Sequence, residues 1–516
     1  MFDAFARRPV LGAGVVFAIA AALFGWLQLA PTFPDPDSFY HARVAVLLSE
    51  QGTITTFPWL TATNLQFQFA DHHFLYHILL IPFVLLFDPL VGLKIATVIF
   101  SALAIVGAYE LLRVLRVRGA FWYTLFLLTV APFVFRLNLA KAQGLAILGL
   151  FVCLYFLFQR KPLLLLAASF GFSWMYGGWP LLLGLGIVYT FVLQLRRGEV
   201  RELLTIRKPG RKATRQDSSL LFSIVLGLGL GLFFSPYFPG NVSFIWDQAV
   251  KIGLINYQYV IDVGGEWYPY PVLSLLRDAA PFLLLLLAGL AAYVATVRKQ
   301  PTQSHVLLAF TLIFTLLTLK SKRNIEYLIP FGVFFAAVAL THWHQIIDWQ
   351  RWKRWSMALG PAVFALVLGL SPLFIHYALS VESDYRAGRL FSQYQEAALW
   401  LAENTPPRSI VFHSDWDEFP QLFYYNTHNR YIVGLDPTFM YLMDSQLHEQ
   451  YVQITRGQRT RDLHPIIART FGAEYVFVDT IENQDFANNL LTDGNFSQVY
   501  QDPRVQIFRA APLQLQ

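Results

Sequence analysis

One cysteine, Cys153, stands in 516 residues, and only 14% of the side chains are Asp, Glu, Lys or Arg. The lone thiol lies in the apolar run Gly149–Phe158, which excludes a disulfide framework and any multi-cysteine metal or redox site. The shortage of charge excludes more. Globular chains carry roughly 25% charged residues, and a chain this long with so few cannot cover several separate domains with a wetted surface. Hydrophobic residues make up 55%, so most of the chain faces lipid and reads as an integral membrane protein. The formal charge of +6 is carried by short basic clusters between apolar runs. That is a pattern of membrane topology, not of nucleic-acid binding.

The first apolar run, Val10 to about Ala30, follows Arg7-Arg8 and is long enough to cross a bilayer, which takes about 20 residues. It lacks a small-residue cleavage site and reads as an uncleaved anchor. Further spans begin near Val91, Phe121, Gly144, Leu163, Pro180, Leu220, Ala279, Val306, Ile325 and Met357. The shorter run Phe74–Phe87 reads as re-entrant, which gives about eleven spans. Twenty basic residues then fall on one side, in the clusters at Arg7, Arg113, Arg160, Arg196–Arg215, Arg298 and Arg351, against eight on the other. The positive-inside rule therefore places the N-terminus in the cytoplasm and the chain beyond Val381 outside. The Arg196–Arg215 segment contains Pro209-Gly210 and reads as a cytoplasmic connector drawn to anionic headgroups.

From Val381 charge becomes frequent and apolar runs shorten to strand length. Strands are expected at Ser409–His413, Tyr431–Gly434, Tyr475–Asp479 and Val505–Arg509, and helices at Ser392–Asn404, Phe439–Thr455 and Leu463–Phe471. The predicted organisation is a polytopic α-helical membrane domain, residues 1–380, followed by an external α/β domain, residues 381–516.

Two external segments, residues 31–73 and 236–274, are longer than simple connections need to be. The first holds Asp35, Asp37, Tyr40 and His41 directly after the first span, and ends in Asp71-His72-His73. Carboxylates and imidazoles carry lone pairs at neutral pH, so this set suits a divalent cation or a general base. Helix capping is the plainer reading of Asp35 and Asp71. The second segment holds Asp262-Val263-Gly264-Gly265-Glu266-Trp267-Tyr268-Pro269, an acid in a flexible aromatic loop. Lys320, Lys322 and Arg323, and separately Arg136 and Lys141, stand at external membrane ends against the orientation bias. That placement points to a local anionic partner such as a lipid phosphate or diphosphate. Snorkelling to ordinary headgroups is the alternative. Together these features suggest transfer from a polyprenyl-linked donor.

Asp37-Ser38-Phe39-Tyr40-His41, with Ala45 and Glu50-Gln51-Gly52, resembles the first external loop of C-type glycosyltransferases, above all the catalytic subunit of oligosaccharyltransferases. Ser173–Trp179 is similar to that family's Gly-Gly-aromatic span, and Gly265–Pro269 to its external-loop acidic motif. Lys322–Tyr327 resembles the span whose arginine meets the lipid-linked diphosphate, and His413–Asp417 stands where the family has Trp-Trp-Asp. The resemblance implies Asp37 as the essential carboxylate with Asp35 as helper, Glu266 as a positioning acid, and Arg323 as the donor-phosphate ligand. Lys322, Lys320, Arg136 and Lys141 would assist Arg323, and Trp416, Asp417, Tyr40 and His41 would contact the acceptor. It also implies a divalent cation, Mn²⁺ or Mg²⁺, on Asp37, Asp71, His72 and Glu266. Two departures stand beside it. The second loop offers Arg136, Lys141 and Gln143 where the family has acidic ligands, and Ser414–Phe419 lacks the full sequon-reading motif.

The expected activity is inverting transfer of a sugar or oligosaccharide from a polyprenyl phosphate or diphosphate to a glycan, lipid or protein acceptor, on the outer face of a bacterial-type inner membrane. Membrane lipids are expected partners and nucleic acid is not. The rivals are a true asparagine-linked oligosaccharyltransferase and a non-enzymatic polyprenyl-lipid transporter or envelope scaffold. Transporters show paired half-repeats with broken helices, and no such repeat is visible. His342-Trp343-His344, with Trp349, Trp352 and Trp355, reads as an interfacial aromatic belt.

Overall fold

The structure, a computed structural model, describes residues 9–197, 211–346 and 372–513. The span expected from Met357 and most of the Arg196–Arg215 connector lie outside the described residues, although a helix, Arg211–Phe233, already begins at Arg211. The chain divides into two compact units. One comprises residues 1–30, 95–234 and 266–387, the other residues 31–94, 235–265 and 388–516.

The first unit is helical. Among the described residues five helices are long and apolar enough to cross a membrane: Pro9–Leu27, Pro89–Val114 (whose first turns belong to the second unit), Ala280–Lys299, Thr302–Lys320 and Lys322–Ile346. A sixth candidate is the pair Ala120–Leu127 and Ala131–Leu137, bent by 78°. Pro132 explains the break, because it has no N–H to continue the first helix and its ring suits the start of the second. Shorter apolar helices run over Gln143–Phe158, Pro162–Met175, Pro180–Arg196 and Ser218–Phe233. The expected starts near Val91, Phe121, Gly144, Leu163, Pro180, Ala279, Val306 and Ile325 each fall within four residues of a helix start. Lys322–Ile346 is the inner helix: 83% of its apolar window is buried, against 22% for Ala280–Lys299.

The second unit is built on strands. β1 (Thr32–Phe33) pairs antiparallel with β2 (Arg389–Leu390). The main sheet contains β3 (Ile410–His413), β4 (Arg430–Tyr431), β5 (Tyr475–Asp479), β6 (Phe496–Gln501) and β7 (Val505–Ala510), in the order β4-β3-β5-β7-β6. β4, β3 and β5 run parallel, and β7 and β6 are antiparallel. Every residue of β5 is buried, as expected of a central strand covered on both faces. Helices Gln395–Asn404, Phe419–Tyr425, Ser445–Thr455 and Gln484–Thr492 accompany the sheet. The expected helix Phe439–Thr455 is two, Thr438–Met443 and Ser445–Thr455. Asp444 separates them and caps the second, accepting from the Gln446 and Leu447 N–H groups. β6 went unanticipated because its edge position leaves it mostly exposed, without the apolar alternation that marks a strand.

Residues distant in sequence complete this unit. Tyr431 N–H donates to the Trp59 carbonyl at 2.7 Å, and Thr61 and Ala62 N–H donate to the Tyr431 and Ile432 carbonyls at 2.8 and 2.9 Å. Residues 59–62 thus extend the sheet edge that β4 would otherwise expose. The run Phe74–Phe87 forms a 13-residue helix, Phe74–Leu86, which packs against helix Asp37–Gln51.

Candidate active site

In the first unit an ion cluster gathers around Glu266. Arg136, in the last turn of Ala131–Leu137, donates from Nη1 to Glu266 Oε2 at 2.6 Å and from Nε to Glu326 Oε2 at 3.0 Å. Arg323 brings Nη1 to 3.3 Å from Glu266 Oε1 and stacks its guanidinium 4.2 Å from the Trp267 ring centroid. Two further bonds fasten this loop to the start of the inner helix: Ser321 Oγ donates to the Glu266 carbonyl, and Lys322 N–H to the Tyr268 carbonyl. Burial pushes the Glu266 carboxyl up, but Arg323, Arg136 and Lys141 outweigh it and hold the group below the usual carboxylate range. Glu266 is therefore a fixed anion.

Glu326 is fully buried in the first turn of the inner helix, and sequence reasoning missed it. An acid inside an apolar span is itself a signal of function, because its charge is costly there without a partner. Close by, Tyr327 donates to the Tyr176 hydroxyl at 3.2 Å. The Gly-Gly motif serves that tyrosine, since a Cβ on Gly178 would stand 2.2 Å from the Tyr176 ring.

The cations expected to bind phosphate thus differ in their engagement. Arg136 has a side chain 9% exposed and donates to two protein carboxylates, so it positions Glu266. Arg323 is 20% exposed and shares only one carboxylate oxygen. Lys322 and Lys141 are half-buried and Lys320 is exposed.

In the second unit, helix Asp37–Gln51 carries Asp37, Tyr40 and His41. Asp35 Oδ1 accepts the Asp37 N–H at 3.0 Å, a turn-forming role. Asp37 is half-buried in the first turn, where the helix dipole favours a carboxylate. Asp71 Oδ1 accepts the His73 N–H at 2.9 Å, and its Oδ2 lies 2.6 Å from His77 Nδ1. His77 Nε2 lies in turn 2.8 Å from His41 Nδ1. Tyr40 is buried among Phe57, Phe423 and His77. Burial, followed by the charges of Asp71, Tyr237 and Asp37, raises its phenol well above the ordinary value. The His72 ring lies 5.3 Å from Phe244.

The Asp415–Glu418 segment forms a capping box: Asp415 accepts the Asp417 N–H, and Glu418 accepts the Asp415 N–H at 2.9 Å. Trp416 packs on the domain core, and Asp417 Oδ1 pairs with Arg389 Nη2 at 2.7 Å. Those contacts give the proposed acceptor residues structural partners. Burial, then the neighbouring Asp417 and Glu418 charges, pushes the Asp415 carboxyl up to about 7.

The expected metal set does not assemble. Among the described residues no three His, Cys, Asp or Glu side chains gather as a metal site. Glu266 is held by arginines, and both Asp71 oxygens are engaged by protein groups.

No protein-family model matches the chain, and no curated protein matches it. Solved structures do match. An archaeal oligosaccharyltransferase, AglB from Archaeoglobus fulgidus, in complex with an inhibitory peptide and a dolichol-phosphate, aligns with a TM-score of 0.62 at 13% identity, over 97% of this chain and 74% of that one. ArnT from Cupriavidus metallidurans, bound to undecaprenyl phosphate, aligns at 0.55 and 15% identity over 97% and 99%. The arabinofuranosyltransferase AftD from Mycobacteria aligns at 0.54 and 15% identity over 98% of this chain and 40% of its own. The chain has the fold of these C-type glycosyltransferases.

Proposed function

We propose that the chain is an integral membrane glycosyltransferase that takes a sugar or oligosaccharide from a polyprenyl phosphate or diphosphate. The observation that carries this reading is Arg323. In a fold whose solved examples hold dolichol-phosphate and undecaprenyl phosphate, it is an arginine held in place by Glu266 and Trp267 yet partly exposed. Its planar fork suits two phosphate oxygens. In the reaction the acceptor oxygen or nitrogen attacks the anomeric carbon with inversion, and the phosphate leaves with the electron pair. Arg323, assisted by Lys322, Lys320 and Lys141, stabilises the charge growing on that phosphate, an electrostatic contribution. Glu266, fixed by Arg136, orients Arg323. Asp37 takes the acceptor proton. No three His, Cys, Asp or Glu side chains gather among the described residues, so no step of this reading is routed through Mn²⁺ or Mg²⁺.

The catalytic face is external, with the C-terminal residues on that side of a bacterial-type inner membrane, as the basic clusters imply. A glycan, lipid or protein serves as acceptor. The second reading, asparagine-linked transfer, is favoured by the peptide in the AglB complex. Incubating the purified full chain with radiolabelled polyprenyl-phosphate and polyprenyl-diphosphate sugars tests the proposal. Labelled acceptor product is expected, and labelled sequon peptide would select the second reading. Lipid binding without any transfer would leave the non-enzymatic carrier.

A further inference from the structure

The end of the inner helix away from Glu326 borders a cavity of about 870 Å³ that the transfer reading does not use. It lies within the first unit, between the last turns of Pro89–Val114 and Gln143–Phe158, the start of Thr302–Lys320 and residues Val338–Gln345. His342 follows Glu326 by sixteen residues on one helix, which at 1.5 Å per residue is about 24 Å. That is most of the roughly 30 Å hydrocarbon thickness of a bilayer. The cavity therefore opens toward the membrane face opposite the Glu266 cluster.

Its walls are tied together by protein groups. Arg118 N–H donates to Thr341 Oγ1 at 3.2 Å and its guanidinium to His344 Nδ1 at 3.2 Å, while His342 Nε2–H donates to the Lys299 carbonyl. The volume falls in the range of about 300–1,000 Å³ usual for small-molecule sites. Positive charge is in excess along the lining. Arg113 donates from Nη1 to Glu110 Oε2 at 2.5 Å, which leaves the rest of its fork for another anion. Arg116 has no side-chain partner among the described residues.

Arg116 also stands where the backbone favours glycine. Its φ is +57°, and Val117 N–H donates to the Leu112 carbonyl while Arg116 N–H donates to the Arg113 carbonyl. These two bonds close the helix with a left-handed residue that is usually glycine, because a Cβ crowds the carbonyl that follows. Helix Gln143–Phe158 closes in the same way on Arg160, φ +55°, directly after Gln159 of the lining. The chain does use glycine in this conformation at Gly119, φ +75°. Helix dipoles explain a basic residue in a last turn, such as Arg113. They do not call for arginine in left-handed backbone beside a cavity.

We propose that this cavity is a second binding site, for an anion whose phosphate is carried on a hydroxylated group. Arg113 and Arg116 hold the phosphate oxygens through charge-assisted bonds. Glu110 and the amides of Gln159, Gln303 and Gln345 bond the hydroxyls. A glycerol-type lipid headgroup and a soluble sugar phosphate share this chemistry. The site does not depend on the transfer reading.

Two probes test it on the purified full chain. Soluble glycerol phosphate is titrated by calorimetry in neutral detergent, and native mass spectrometry weighs the chain extracted from phosphatidylcholine vesicles containing phosphatidylglycerol. Saturable binding of one probe is expected, and which one binds identifies a free or a lipid source. Arg116→Gly separates binding from helix capping. It relieves the left-handed backbone, so the melting temperature should hold or rise, while affinity should fall about tenfold, the scale of one charged hydrogen bond. Arg113→Gln combined with Arg116→Gly should abolish binding, and Arg323→Ala, at the other end of the helices, should leave it unchanged. Neither probe bound by the wild type, or wild-type affinity in the double variant, overturns the site. So does loss of binding in Arg323→Ala. Inorganic phosphate bound as tightly as glycerol phosphate overturns the hydroxyl contacts.

Discussion

The ion cluster of the first unit and the imidazole chain of the second both bury ionisable groups, but they stabilise them differently. Around Glu266 acidic and basic side chains alternate, Glu326–Arg136–Glu266–Arg323, in a row of ion pairs. Along Asp71–His77–His41 a single carboxylate is followed by two rings that can be neutral, and hydrogen bonds replace ion pairs. The first arrangement holds its charges fixed, which suits binding and stabilising an anion whose charge grows. The second holds three side chains in place through two short hydrogen bonds. The proposed glycosyl transfer releases a phosphate and a proton, and our reading gives the phosphate to Arg323 in the first unit and the proton to Asp37 in the second.

The largest effect that could break this division of labour belongs to the proton side. Asp37→Asn keeps shape but takes no proton, so kcat should fall about 10²–10⁴-fold with folding and donor binding intact. Near-wild-type turnover would remove Asp37 as acceptor base. On the charged side Arg136→Met leaves Glu266 and Glu326 without their shared cation. Stranding one partner of a buried ion pair costs about 3–5 kcal/mol, so thermal unfolding in detergent should show marked destabilisation. A double variant with Glu326→Gln should recover part of it. An unchanged melting temperature in Arg136→Met would mean that the cluster is not held by charge.

Smaller, but specific, is Arg323→Lys. An ammonium keeps the charge and loses the planar fork, so the apparent donor constant should rise about tenfold, one charged hydrogen bond at roughly 1.4 kcal/mol. An unaltered donor constant in both Arg323→Lys and Arg323→Ala would transfer the phosphate role to Lys141 and Lys322. The smallest expected effect lies in Asp415, which belongs to neither cluster. Its carboxyl is raised to about 7 in the folded protein, so the folded state binds the extra proton. Stability contributed by the protonated group is full below the ordinary carboxylate range and is lost as pH rises to about 7. Thermal melts of the full chain between pH 4 and 7 should therefore slope downward, less steeply in Asp415→Asn. Equal slopes would show that Asp415 is not the group responsible.

The helices were legible because lipid-facing runs are long and uniform. Their starts at Pro89, Pro162, Pro180 and Thr302 follow from apolar length and from prolines at or just before the first turn. Asp37 and Glu266 stood out in the sequence as acids in two long polar segments, and Arg323 as a cation at a helix end. His77 and Glu326 carried a different signal, a lone polar residue in an apolar run. Without their partners that signal cannot be told from an isolated buried group.

By itself the sequence determined that the chain is built for lipid and where its apolar helices run. Those properties depend on composition and local periodicity, which burial enforces residue by residue. Only the tertiary structure decided that Trp59–Ala62 extends the β4 edge, that Arg136 holds two acids separated from it by 130 and 190 residues, and that Asp71, His77 and His41 join in one hydrogen-bonded row. Such pairings depend on directional hydrogen bonds between groups whose separation along the chain carries no period. No local pattern can encode them before the chain has folded.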